Sequence, residues 1–194
     1  MERRLFLTGP TGSGKSSLLR RALGARLCGA GGFVMRAERG TYGELTGFTL
    51  APAAAAGGVS GFAEERFLDC TRFPPRTDNE VFRTTGVRLL EESAWYPFVL
   101  LDEIGGFELV IPQFRTALEV LLRSDRPILG ALKTEEEAEA MLEALGLGEK
   151  ARSYVQALHR TLAETPDARV LTVSGPEDAA ALRAVEDWAQ AWLG

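Results

Sequence analysis

The stretch Gly9-Pro10-Thr11-Gly12-Ser13-Gly14-Lys15-Ser16 decides the fold. It satisfies G-x-x-x-x-G-K-[ST] in full, after the apolar run Leu5-Phe6-Leu7 and before a segment with helical spacing. That segment, Ser16 to Leu27, carries Leu18, Leu19, Ala22, Leu23 and Leu27. A polyphosphate has to be wrapped by several backbone N–H groups at once, so the loop needs positions without an obstructing Cβ, here Gly9, Gly12 and Gly14. A loop that opens a helix adds unpaired N–H groups and the favourable end of the helix dipole. Lys15 adds a flexible positive charge for the β- and γ-phosphates, and the Ser16 hydroxyl suits Mg²⁺. The expected nucleotide-binding set is Gly9, Pro10, Thr11, Gly12, Ser13, Gly14, Lys15, Ser16 and Ser17.

The second half of such a site lies further along the chain. Phe98-Val99-Leu100-Leu101 reads as a buried strand that runs out into Asp102-Glu103, a Walker B pattern. At the carboxyl end of a strand in an α/β sheet, Asp102 faces the crevice where ligands bind and serves as a second Mg²⁺ ligand opposite Ser16. Glu103 is placed to orient or deprotonate the water that attacks the γ-phosphate, so Glu103 and Lys15 form the expected catalytic set. A supplementary cation would steady the developing charge, with Arg36, Arg39, the arginines from Arg66 to Arg88, and Lys133 as candidates.

Outward from these motifs, strands and helices alternate. Phe33 to Met35 and Leu45 to Leu50 are strand-like around the turn-prone Gly40-Thr41-Tyr42-Gly43. Residues 51–61, rich in Ala and Gly, read as a loop, and residues 62–88 have no clear period. Pro112 opens a helix bearing Phe114, Leu118, Leu121 and Leu122, and Ile128 to Leu132 is another buried strand. Thr134 and Glu137 make a capping box for the next helix, which ends near Gly146. A helix around Tyr154 to Leu162, a strand at Val170 to Val173 and a final amphipathic helix after Asp178 follow. The pattern predicts an α/β layer fold with a mostly parallel sheet. Residues 1–194 read as one domain, with a helical addition at 134–150.

The composition agrees, with 45% hydrophobic and 25% charged residues. A net charge of −5 argues against nucleic acid or an anionic membrane as the main partner. Cys28 and Cys70 give no metal-ligand spacing and read as reduced, packed thiols. The start of the chain, from Met1, holds too short an apolar run for a signal segment, and no run approaches membrane-spanning length, so the expected compartment is the cytoplasm. The lone His159 reads as a half-exposed helix residue, and Trp95, Trp188 and Trp192 as packing residues.

Taken together, these residues resemble the small P-loop nucleoside-triphosphatases, a family that includes thermophile enzymes and the human cancer-related nucleoside-triphosphatase. The likeness rests on the opening loop, on Gly32-Phe33, Arg39 and Gly47-Phe48, and above all on Leu101-Asp102-Glu103-Ile104-Gly105-Gly106-Phe107-Glu108-Leu109 followed by Phe114. That last stretch looks like the family's D-E-I-G-x-M-E-L, with Phe107 in place of the usual Met. The resemblance implies a P-loop NTPase-type three-layer sandwich and Mg²⁺-dependent hydrolysis of nucleoside triphosphates such as ATP or GTP, with broad base tolerance. Glu108 carries over as a motif residue without an assigned role. Two rival functions fit the same loop: a small-molecule or nucleotide kinase with the Arg-rich segment as a lid, and a nucleotide-dependent switch with slow hydrolysis.

Overall fold

Short strands with apolar residues on both sides need cover on both faces, and the computed structural model, which describes residues 2–194, supplies it. Met1, the first residue of the 1–194 span and of the signal-segment reading, lies outside the described residues. Among the described residues, eight strands form one sheet: β1 (Arg4–Thr8), β2 (Ala30–Arg39), β3 (Leu45–Pro52), β4 (Glu65–Asp69), β5 (Arg76–Thr77), β6 (Phe98–Ile104), β7 (Ile128–Leu132) and β8 (Ala168–Thr172). Their order is β5-β4-β3-β2-β6-β7-β1-β8. The five strands from β2 to β8 are parallel, and β3, β4 and β5 extend them as antiparallel neighbours.

The helices are α1 (Lys15–Leu23), α2 (Asn79–Val81), α3 (Val87–Glu92), α4 (Pro112–Arg123), α5 (Glu135–Ala144), α6 (Glu149–Glu164) and α7 (Ala179–Leu193). Side chains alternate across the strands, and the two faces collect separate cores. Leu5, Leu7, Phe98, Leu100 and Leu129 pack under α1 and α7, against Leu18, Leu19, Val185 and Trp188. Phe6, Phe33, Val99, Leu101 and Ile128 pack on the other face against α3, α4, α5 and α6. The result is the three-layer α/β sandwich expected from the sequence.

Several local readings change. The helix at Ser16–Leu27 stops at Leu23 because Gly24 turns the backbone to φ +51°, and a 3₁₀ turn continues to Gly29. The segment read as a loop at 51–61 begins by finishing β3, then forms a 3₁₀ turn whose Ala53, Ala54 and Ala55 are buried. Trp95 is 87% exposed rather than packed, because Ser93 turns inward instead, fully buried with its hydroxyl donating to the Leu89 carbonyl. Cys28 is exposed, not packed, and Cys70 is half-buried. Residues 62–92 hold β4, β5 and a helical run in which a π turn, Phe82–Gly86, joins α2 to α3. Among the described residues, no helix is long and apolar enough to cross a membrane.

Candidate active site

The strand order sets the geometry of the site. β7 lies between β1, which leads into the glycine-rich Gly9–Ser16 loop, and β6, which carries Asp102 and Glu103. Whatever follows β7 therefore stands between the loop and the two acids, and that residue is Lys133.

The loop leaves β1 after Thr8 and closes on α1. Gly14 sits at the helix N-cap with φ +90°, and its carbonyl accepts the Leu18 N–H at 2.8 Å. No acidic side chain occupies the first turn of α1, so its amide dipoles stand uncompensated at the cleft. Lys15 is buried, its ammonium donating to the carbonyls of Gly9 (2.5 Å) and Pro10 (3.2 Å). Gly9 and Gly14 have no room for a side chain on the protein's own side: an added Cβ would meet the Val173 carbonyl oxygen at 2.8 Å and Pro176 Cα at 2.6 Å, respectively. The turn before α7 thus buttresses the loop.

The Ser16 hydroxyl donates to Asp102 Oδ1 at 2.6 Å, but Asp102, expected to face the crevice, is buried behind Ser16 and does not line the cleft. Asp102 is 2% exposed, and burial pushes its carboxyl above the usual range, against the pull of the Ser16 hydrogen bond and of Arg20, whose guanidinium lies 3.7 Å away. A serine hydroxyl and a carboxylate in contact form a hard-oxygen pair, the donor chemistry that Mg²⁺ takes.

Glu103 occupies a bulge. Asp102 pairs with Ala131 and Ile104 with Leu132, so Glu103 is the extra residue on β6. Its φ of +136° is a conformation few side-chain-bearing residues adopt, and holding it costs about 1–3 kcal/mol. The bulge turns its carboxylate into the cleft, where Oε2 lies 2.9 Å from the Lys133 ammonium. The sequence places both acids after the strand; in the structure β6 continues through them to Ile104.

The cleft has a volume of about 550 Å³. One wall is Thr11, Gly12, Gly14, Lys15, Ser16 and Ser17; Glu103 and Lys133 line it opposite, with Phe48, Glu137, Ala140 and Met141 completing the rim. Gly9, Pro10 and Ser13 shape the loop without lining that space. None of the arginine candidates lines it: Arg36 pairs with Glu64, Arg66 with Glu38, Arg83 with Glu80 and Arg88 with Glu92, while Arg39 caps the Gly43 carbonyl. Lys133 alone of the proposed supplementary cations reaches the cleft.

Two residues escaped the sequence reading. Arg20 stands one turn after Ser16 on α1, so the i,i+4 spacing held the signal. The spacing of Thr134 and Glu137 predicts a reciprocal capping box. Thr134 does cap the Glu137 N–H (3.1 Å), but the Glu137 carboxylate reaches across to the Thr11 N–H instead of back to Thr134. Partial burial raises its pKa, yet the Thr11 hydrogen bonds and the nearby Lys15 and Lys133 outweigh that and hold it below the ordinary range. No local pattern reveals a partner so distant in sequence.

The chain is similar to known proteins in sequence and in fold. A family model described as NTPase matches residues 4–163. The nucleoside-triphosphatase THEP1 of Methanosarcina barkeri (strain Fusaro / DSM 804) is 28% identical over 134 residues, which span 66% of this chain and 75% of that protein. The crystal structure of THEP1 from the hyperthermophile Aquifex aeolicus superposes with a TM-score of 0.65 over 97% of this chain and 98% of its own; at 17% identity it shows the shared fold. The chain belongs to this NTPase family and is a nucleoside-triphosphatase, a hydrolase.

Proposed function

We propose that the chain is a Mg²⁺-dependent nucleoside-triphosphate phosphohydrolase of broad base tolerance, converting NTP and water to NDP and phosphate in the cleft between the Gly9–Ser16 loop and Glu103. The observation that carries this reading is the β6 bulge, which aims a carboxylate at the loop from the far side of Lys133. Lys15 exchanges its carbonyl partners for phosphate oxygens, and the loop amides wrap the same groups. Ser16 and Asp102 would hold Mg²⁺, which neutralises charge on the phosphate oxygens when bound. Glu103 orients the attacking water and accepts its proton. Lys133, released from Glu103, offers its ammonium to the γ-phosphate.

Base tolerance is supported by the rim: Phe48, Ala140 and Met141 can pack against a base without reading its edge. Two free thiols accord with a reducing compartment, and we place the enzyme in the cytoplasm. Residues 1–194 form one domain in this reading, with the helical addition at 134–150 made of α5 and the first residues of α6, and α5 supplies Glu137 to the cleft rim.

The test is phosphate release from ATP, GTP, CTP and UTP, with Mg²⁺ and with chelator, for wild type and Lys15→Ala. Release from all four that needs the metal and is lost in Lys15→Ala is the expected result. Turnover of a single nucleotide overturns base tolerance, metal-free turnover overturns the Mg²⁺ assignment, and an active Lys15→Ala overturns the site.

A further inference from the structure

Glu108 lies outside the cleft lining, in a 3₁₀ turn just after β6, and is 2% exposed. Nothing in the proposed reaction uses it. Burying a carboxyl group strips its hydration and pushes its pKa up, against the hydrogen bonds it accepts, so packing alone would favour an apolar residue here. Its Oε1 accepts two consecutive backbone N–H groups, Gly105 at 2.7 Å and Gly106 at 2.8 Å.

Those two amides begin two residues after Glu103, at the exit of the bulge. The backbone there is unusual throughout: Glu103 at φ +136° and Gly105 at φ +98°. A bulge held by one pairing strand can relax, because the extra residue has no ladder partner. On one side the Lys133 N–H donates to the Ile104 carbonyl at 2.9 Å; on the other, Glu108 grips the next two amides. Gly106 keeps the approach open, since a Cβ there would lie 2.9 Å from Glu108 Oε2 and 3.3 Å from Lys133 Cε.

We propose that Glu108 is a positioning residue for hydrolysis: by clamping the Gly105 and Gly106 amides it holds the bulge that aims Glu103 into the cleft. This rests on the proposed role of Glu103. Without the clamp, Glu103 relaxes toward negative φ and its carboxylate turns away from Lys133 and the attacking water, while the phosphate loop, on another strand, is untouched.

Two near-isosteric variants separate clamp from packing. In Glu108→Gln the side-chain carbonyl can still accept both amides, whereas Glu108→Met fills the space with a thioether that is a weak acceptor only. Turnover and nucleotide affinity are measured for both, alone and in a Glu103→Gln background. The expected result is that Glu108→Met loses roughly 30-fold or more in kcat, the scale set by a misplaced catalytic group, with Kd for nucleotide within about threefold. Glu108→Gln should stay within about fivefold of wild type in both, and in the Glu103→Gln background Glu108→Met should cost less than about twofold more, because the group it positions is already gone. Equal losses in the Gln and Met variants, a parallel loss of affinity, or full additivity with Glu103→Gln overturn the proposal. An active Glu103→Gln would instead overturn the role of Glu103 itself. If Glu108→Met does not fold, hydrogen exchange in the wild type decides: slow Gly105 and Gly106 amides support the clamp, and freely exchanging ones overturn it.

Discussion

Gly12 and Gly14 both hold left-handed backbone in the glycine-rich loop after β1, at φ +83° and +90°, yet alanine should affect them very differently. At Gly12 an added Cβ meets nothing within 4 Å. The cost there is the left-handed conformation, about 1–2 kcal/mol, less the ~0.4–1 kcal/mol that alanine returns by restricting the unfolded chain. A net loss near 1 kcal/mol lowers Tm by about 2–4 °C for a chain of this size. At Gly14 the same conformational cost applies, and the Cβ would also stand 2.6 Å from Pro176 Cα and 2.9 Å from Pro176 Cβ. That contact is with backbone, which a side-chain rotation cannot relieve. Overpacking adds ~1–3 kcal/mol, for a total near 2–4 kcal/mol and a Tm loss of about 4–16 °C. Scanning calorimetry of Gly12→Ala and Gly14→Ala reads the difference. Equal losses, or a larger loss in Gly12→Ala, would refute the argument that the turn at Pro176 fixes the loop's last glycine.

Other outcomes follow from the packing and electrostatics. Phe114 is fully buried, with the Phe82 ring 5.1 Å and the Phe33 ring 5.9 Å from it, so Phe114→Ala should cost about 3–5 kcal/mol in urea denaturation; a loss below about 1 kcal/mol contradicts this. Asp178 caps α7, and hydrogen bonds from Ser174 and Ala181 lower its pKa from 3.8 to about 2. Because the folded pKa is depressed, its stabilising effect is complete above the unfolded value and disappears as pH falls from about 4 toward 2. The Tm advantage of wild type over Asp178→Asn should therefore shrink across that window, and a constant gap down to pH 2 falsifies the assignment. Glu137 holds the Thr11 N–H that a phosphate would compete for, so Glu137→Ala should tighten nucleotide binding about threefold in equilibrium titration; weaker binding contradicts the competition.

The parallel centre of the sheet was readable because its strands are short, apolar and bounded by strong punctuation. Leu5-Phe6-Leu7 ends at a glycine turn, Phe98 to Leu101 at two acids, and Ile128 to Leu132 at the Thr134 cap. Residues 62–88 were not readable, since their order depends on distant partners: Phe67 and Phe82 are buried by packing on Phe107 and Phe114. The residue types of the site were visible in two motifs, but the bulge was not. A register shift belongs to a pair of strands, and nothing in Asp102-Glu103-Ile104 alone says that β7 will skip Glu103. Lys133 was visible as a candidate because it ends a strand, whereas its place between loop and acid follows from the order β6-β7-β1. The reach of Glu137 to the Thr11 N–H was not legible, because a helix cap explained the residue locally.

The role of Glu103 is decided by single-turnover phosphate release from saturating nucleotide in Glu103→Gln, with affinity measured on the same sample. A water-orienting carboxylate gives a variant that binds nucleotide within about threefold of wild type and releases phosphate at least ~100-fold more slowly. Release at the wild-type rate from a fully bound variant would show that the carboxylate aimed by the β6 bulge takes no part in hydrolysis.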